Sequence, residues 1–261
     1  MVLLYLAIGL LASTVGAISG LGGGVIIKPI LDMFGHYDIA TIGILSASTV
    51  FAMSIATLTK KFIDKATFEL DRLLPLSFGA VIGGIAGNKV FQLFMNAVGN
   101  PDTAKMIQSI CLATLMIVVF IFCLNKDKVK TFDTHNILIC FIAGLIMGTI
   151  SAFLGIGGGP VNVMVLILLF SCNSKDAATY SVFTIFFSQM STLGTTLLTE
   201  GFGVYDLSLV GYMIFGGIVG GFLGDIFSKK MNTEQVSKLF NAIMIIVILI
   251  NVYNIFSVLM A

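Results

Sequence analysis

Two glycine clusters are the residues of this chain best placed to do chemistry: Gly20-Leu21-Gly22-Gly23-Gly24 and Gly155-Ile156-Gly157-Gly158-Gly159. Each closes a long apolar run and opens a shorter one, beginning at Val25 and at Pro160. A helix that restarts after such a break offers unpaired backbone N–H groups and the positive end of its dipole, which together attract anions. Unwound backbone at membrane depth survives only where protein buries it or where it lines a wet cavity. Gly22, Gly23, Gly24 and Val25, with Gly157, Gly158, Gly159 and Pro160, are therefore candidate binding positions for a small anion. A tight turn between closely packed helices is the purely structural alternative. Four glycines in five positions, twice, exceed what a turn needs. Pro160 also suits the first position of a restarting helix, where its missing N–H costs nothing.

Several polar side chains join these clusters. Lys28 lies one turn into the first short run, and an ammonium inside a membrane is a functional candidate by default. It could meet the substrate, pair with Asp32 four residues on, or snorkel to the surface. Its counterpart in the second half is Val163, with Asn162 adjacent, so a site between the halves would take a charge from one and an amide from the other. Ser46, Ser48 and Thr49, and in the second half Thr184, Ser188 and Gln189, place polar groups in mid-run. Hydroxyls can bond their own helix backbone; the Gln189 amide wants a partner. Asp225 and Lys89 are weaker candidates for ion coupling, and Asp225, near a polar end, can equally be merely solvated. Asp38 and Asp176 read as helix caps. His36 and His135 fall at loop ends, no metal-ligand cluster appears, and the four cysteines read as small hydrophobes. No cofactor is expected.

The elements that must position these residues are apolar runs at about 1–18, 25–35, 38–59, 73–95, 104–124, 137–153, 160–171, 176–198, 207–227 and 236–259. Most exceed the ~20 residues that cross a bilayer, whereas 25–35 and 160–171 are too short to cross alone. With 57% hydrophobic and 10% charged residues the chain reads as an integral membrane protein. Net charge of +1 and the lack of a basic groove exclude nucleic acid as a partner. The first run lacks a basic flank and is expected to be a retained helix, not a signal peptide.

The halves repeat. Gly22-Gly23-Gly24 matches Gly157-Gly158-Gly159, Asp38-x-Ala40-Thr41 matches Asp176-x-Ala178-Thr179, and Gly79…Gly83-Gly84-x-x-Gly87 matches Gly216…Gly220-Gly221-x-x-Gly224, all at nearly one offset. Such duplication is typical of secondary transporters. The last of these sets has small-xxx-small spacing, which close helix packing explains.

Lysines and arginines set sidedness. Loops 60–72 and 228–238 and the linker 125–136 carry most of them and are expected in the cytoplasm, whereas 199–206 carries none. Counting back from these loops places 35–38 outside and 171–176 inside. Each glycine cluster then sits at the turn of a helix hairpin, the two hairpins open to opposite sides, and both termini are external. Lys89 and Lys105 lie at the outer end in this scheme, against the trend.

With the doubled GxGGG and the Gly-Gly-x-x-Gly segments, nearly the whole chain resembles the TauE/SafE family, the sulfite exporter or toluene-sulfonate uptake permeases. The second copy departs from the first, with Met164 in place of Pro29 and Pro160 in place of Val25. The resemblance implies a prokaryotic plasma-membrane transporter of small sulfur anions, coupled to protons.

The expectation is thus an all-α polytopic membrane protein of two inverted-topology repeats, 1–124 and 137–261, joined by a cytoplasmic linker at 125–136. Each repeat is a glycine-turn hairpin plus three transmembrane helices. The function expected is secondary transport of small anions across the plasma membrane, with an anion channel of the same fold as the alternative and no enzymatic activity. Its partners are the anionic substrate and the bilayer; oligomeric state is left open, a homodimer included.

Overall fold

The computed structural model describes residues 1–260, so Ala261, with which the expected second repeat ends, lies outside the described residues. The first half contains α1 (Val2–Ser19), α2 (Gly24–Phe34), α3 (Ile39–Ile63), α4 (Leu70–Val98) and α5 (Pro101–Asn125). The second contains α6 (Ile137–Leu154), α7 (Gly159–Phe170), α8 (Ser174–Thr199), α9 (Val210–Lys230) and α10 (Thr233–Leu259). No strand occurs among the described residues.

The boundaries follow from local chemistry. Asn or Asp side chains accept the first free N–H groups of α3 (Asp38), α5 (Asn100), α6 (Asn136), α8 (Asn173) and α10 (Asn232). Left-handed glycines end α1, α2, α4 and α6, at Gly20, Gly35, Gly99 and Gly155. Asp38 caps as expected. Asp176 does not: α8 starts earlier, Asn173 is its cap, and Asp176 lies in the first turn.

Seven helices, all except α2, α7 and α8, are long and apolar enough to cross a membrane. α8 has the length, but Thr184, Ser188, Gln189, Thr192 and Thr196 are buried along it. A helix enclosed by other helices tolerates such residues because it need not face lipid. On the outside, α5 and α10 expose Ile121, Leu124, Ile246 and Leu249, which hydrocarbon favours and water does not.

The two halves interlock. α1 packs along α9 and α6 along α4; α3 lies on α9, α8 on α4, and α5 on α10. The closest crossing is α4 with α6. A Cβ on Gly83 would lie 2.1 Å from the Leu145 carbonyl oxygen, and one on Gly144 would lie 1.9 Å from that of Leu76. At the α1–α9 crossing, Gly216, Gly220 and Gly224 press on the backbone of Leu6, Leu10 and Thr14 in turn, so these helices run parallel.

Each hairpin returns to the end of the bundle from which it started. Near the start of α1, Tyr5 reaches His36 beyond the end of α2, 3.0 Å from hydroxyl to Nδ1. Ahead of α6, Phe132 and Thr134 donate backbone N–H groups to Leu168 and Leu169, the last turn of α7. The lysine-rich end carries a charge cluster buried only at its inner end: Asp225 lies 3.3 Å from Lys61 and 2.9 Å from Lys229, and Lys229 also meets Asp64 at the exposed rim. Asp225 is fully buried rather than solvated, because α3 supplies Lys61 against it. At the opposite end Lys105 donates to the Asp32 carbonyl in the last turn of α2. It satisfies a helix C-terminus there, which explains a cation at that end.

Candidate functional site

The two glycine turns meet tip to tip midway through the bundle. A Cβ on Gly24 would lie 2.5 Å from the Ile156 carbonyl oxygen, and one on Gly159 only 1.6 Å from that of Leu21. Only glycine permits either approach. Val50, midway along α3, touches both turns, 3.6 Å from the Cβ position of Gly22 and 3.4 Å from that of Gly157. Gly22, Gly157 and Gly158 adopt φ of 66°, 76° and 80°, where other residues are strained. Ser181 of α8 donates to the Gly20 carbonyl at 2.6 Å and fastens the first turn in place.

Among the described residues, the backbone N–H groups of Gly23, Gly24, Val25, Gly157, Gly158 and Gly159 donate no hydrogen bond. Both helix starts thus keep unpaired donors. Yet each is faced at close range by a carbonyl of the opposite hairpin, so neither opens directly into a cavity.

A cavity of about 460 Å³ lies beside this contact and opens at the end of the bundle opposite the lysine-rich one. Its deep wall includes Lys28, Ser151, Gly155 and Gln189, and its sides include Asn88 and Thr192. Lys28 is 3% exposed, and its ammonium stands 3.5 Å from the Asp32 carboxylate. Its aliphatic stem crosses the other hairpin, the Cδ atom lying 3.5 Å from the Cβ position of Gly155. The Gln189 amide stands 3.3 Å from the Cβ position of Gly157. At the mouth, Gln92 and Tyr205 both donate to Glu200. Burial, and after it the bond to Glu200, pushes the Tyr205 hydroxyl pKa up.

The structure therefore brings together Lys28 and Gln189 and separates them from other candidates. Gly22, Gly23, Gly24, Val25, Gly157, Gly158, Gly159 and Pro160 lie in the tip contact, outside the cavity wall. Asn162 sits behind Gly158, its Oδ1 2.9 Å from that residue's Cβ position, so of the two second-half amides it is Gln189 that shares the cavity wall with Lys28. Asp225 belongs to the lysine-rich end, and Lys89 is exposed on α4, while its neighbour Asn88 lines the cavity. Ser151 and Gln108 escaped the sequence reading. Ser151 meets Ser188 at 3.4 Å, and Gln108 donates to the Phe153 carbonyl at 2.9 Å. The available signal was a polar pair in an apolar run, Thr149 with Ser151 shortly before Gly155 and Gln108 with Ser109.

An apolar exterior and a polar cavity stopped midway by paired hairpins define a multi-pass membrane protein. The family described as "Sulfite exporter TauE/SafE" matches residues 5–250, and the chain belongs to that family. It is 25% identical to "Probable membrane transporter protein YunE" of Bacillus subtilis (strain 168) over 94% of each chain. It is 27% identical to a "Probable membrane transporter protein" of Haemophilus influenzae (strain ATCC 51907 / DSM 11121 / KW20 / Rd), over 88% of this chain and 86% of that one.

Proposed function

We propose that this chain is a secondary transporter of small anions, with sulfur oxyanions and organosulfonates as the substrate class, driven by protons across the plasma membrane. The observation that carries this is Lys28, among the described residues the one cation in a cavity wall that has the Glu200 carboxylate at its mouth and is otherwise made of amides, hydroxyls and apolar groups. An ammonium on a low-dielectric wall attracts an anion far more strongly than it would in water. The cavity is the substrate site, with Lys28 supplying charge and Gln189 an amide donor. The glycine tips form the barrier below it, and parting them would expose their unpaired N–H groups to the substrate as it passes.

The duplicated hairpins act as inverted repeats, residues 1–124 and 137–261. Helix directions support this: α1 runs parallel to α9, and the hairpins start from opposite ends of the bundle. The lysine-rich end faces the cytoplasm, so both termini are external and the cavity faces out. Backbone packed without a gap between the tips favours a transporter over a channel.

Purified protein tests this by thermal shift with sulfite, sulfate, sulfoacetate, taurine and a carboxylate control. A ligand that binds only the folded state raises the melting temperature. Stabilisation by a sulfur oxyanion in wild type and its loss in Lys28→Ala support the proposal. An equal response in both places the site elsewhere. Counterflow in proteoliposomes then separates a transporter from a channel, since only a transporter accelerates efflux of labelled anion when unlabelled anion is added outside.

A further inference from the structure

Asp32 is buried, 4% exposed, directly behind Lys28 on the same face of α2. One carboxylate oxygen faces the Lys28 ammonium at 3.5 Å, and the other, Oδ1, has no hydrogen-bond partner. Among the described residues no second cation lies within ion-pair distance of the carboxylate. Lys105 of α5 is engaged with the backbone carbonyl of Asp32, not the carboxylate. α10 presents amides: Asn254 donates to the Pro29 carbonyl at 2.9 Å, and Asn251 bonds its own helix. Tyr5 of α1, against which Tyr37 packs, is bonded to His36, and Asp38 caps its own helix α3.

From this geometry we infer that Asp32 is the proton carrier of the transport cycle, and that one proton enters the site with each monoanion. This rests on the anion site proposed above. In the empty site, Lys28 and Asp32 neutralise each other. A monoanion that pairs with Lys28 strips Asp32 of its only partner, and a buried unpaired carboxylate is costly. A proton on Asp32 removes that cost. Charge then balances: ammonium and carboxylate before, ammonium, monoanion and carboxylic acid after. No covalent bond other than O–H forms, and the balance is the same whichever side chain delivers the proton. The pair therefore selects monoanions such as sulfonates over dianions such as sulfate, which would leave one negative charge buried.

The test is proton uptake by the purified full-length protein in weak buffer, read with a pH dye during titration with methanesulfonate or benzenesulfonate. Both probes are fully ionised at every working pH, so any proton bound belongs to the protein. About one proton taken up per anion is expected, with affinity weakening as pH rises, by up to about tenfold per unit. Asp32→Asn should bind the same probes without uptake and without pH dependence. The doubly neutral Lys28→Gln/Asp32→Asn protein, which keeps the shape of the pair, should fold and bind both probes about 10- to 100-fold more weakly than wild type, without uptake. Wild-type binding without uptake, or uptake preserved in Asp32→Asn, would overturn the assignment of the proton while leaving the anion site standing. Absence of binding by wild type at any pH would remove the anion site itself, and this inference with it.

Discussion

Gly159 and Leu21 approach so closely that a methyl group at position 159 would overlap the Leu21 carbonyl, 1.6 Å from its oxygen. The two residues lie on opposite hairpins, so the gap between the halves is set by the absence of one carbon atom.

Gly159→Ala should therefore force the tips apart. Overpacking of this kind costs about 1–3 kcal/mol, and more where the neighbour is backbone. The expected outcome is a lowered melting temperature together with loss of anion counterflow. Gly211→Ala on α9, where a Cβ meets nothing within 4 Å, is the control and should leave both unchanged.

The α4–α6 crossing makes a stability prediction separate from function. Gly83→Ala and Gly144→Ala each drive a methyl onto a backbone carbonyl, and neither backbone can retreat without opening the whole crossing. Each variant should lose about 1–3 kcal/mol or fail to fold. Size-exclusion profiles after heating in detergent would show it as early aggregation, for ligand-free protein as much as for liganded.

Lys28 and Gln189 should differ in weight. A hydrogen bond to a charged group is worth about 1.5–3 kcal/mol and a neutral one about 1 kcal/mol. Lys28→Gln should weaken binding of a sulfur oxyanion by about 10- to 100-fold, and Gln189→Ala by about fivefold. Direct titration measures both. Equal losses would mean that the two groups act as one unit.

Acid sensitivity should trace in part to the lysine-rich end. Lys229 beside Asp64 holds its carboxyl below the usual range. A carboxylate with a depressed pKa in the folded state adds stability above its unfolded pKa and loses it as pH falls through the folded one. The melting temperature of wild type should thus drop below about pH 4, the ordinary range of Asp. Asp64→Asn should flatten that part of the profile, and high salt should mimic the substitution because the pair is exposed.

The helices were legible because apolar runs ended at residues with a reason to end them, as at Gly20, Gly35 and Asp38. The pairing of Lys28 with Asp32 was legible too, being four residues apart on one helix. Contacts across the halves were not. Nothing near Asp225 in the chain foretells Lys61, which buries it, since α3 and α9 meet only in three dimensions. The spacing that suggested Asn162 as partner to Lys28 respected the repeat, but not the turn of α7, which points that amide behind Gly158. Nor did glycine spacing distinguish a helix start open to substrate from one faced by the other hairpin's carbonyl. Both need a small residue there.

The exchange of partners between the halves also orders the protein's assembly at the ribosome. α4 and α6 are separated by little more than α5 and the linker, so that crossing can close early in synthesis. α1 must wait for α9, roughly 200 residues later, which at ~5–20 residues per second is about 10–40 s. For that interval the first helix sits in the membrane with Gly9, which later meets the Met213 backbone of α9, facing lipid instead. The nascent chain is then most open to mispairing and to surveillance by insertion factors, and lesions in α9 should be read by the cell as defects of α1.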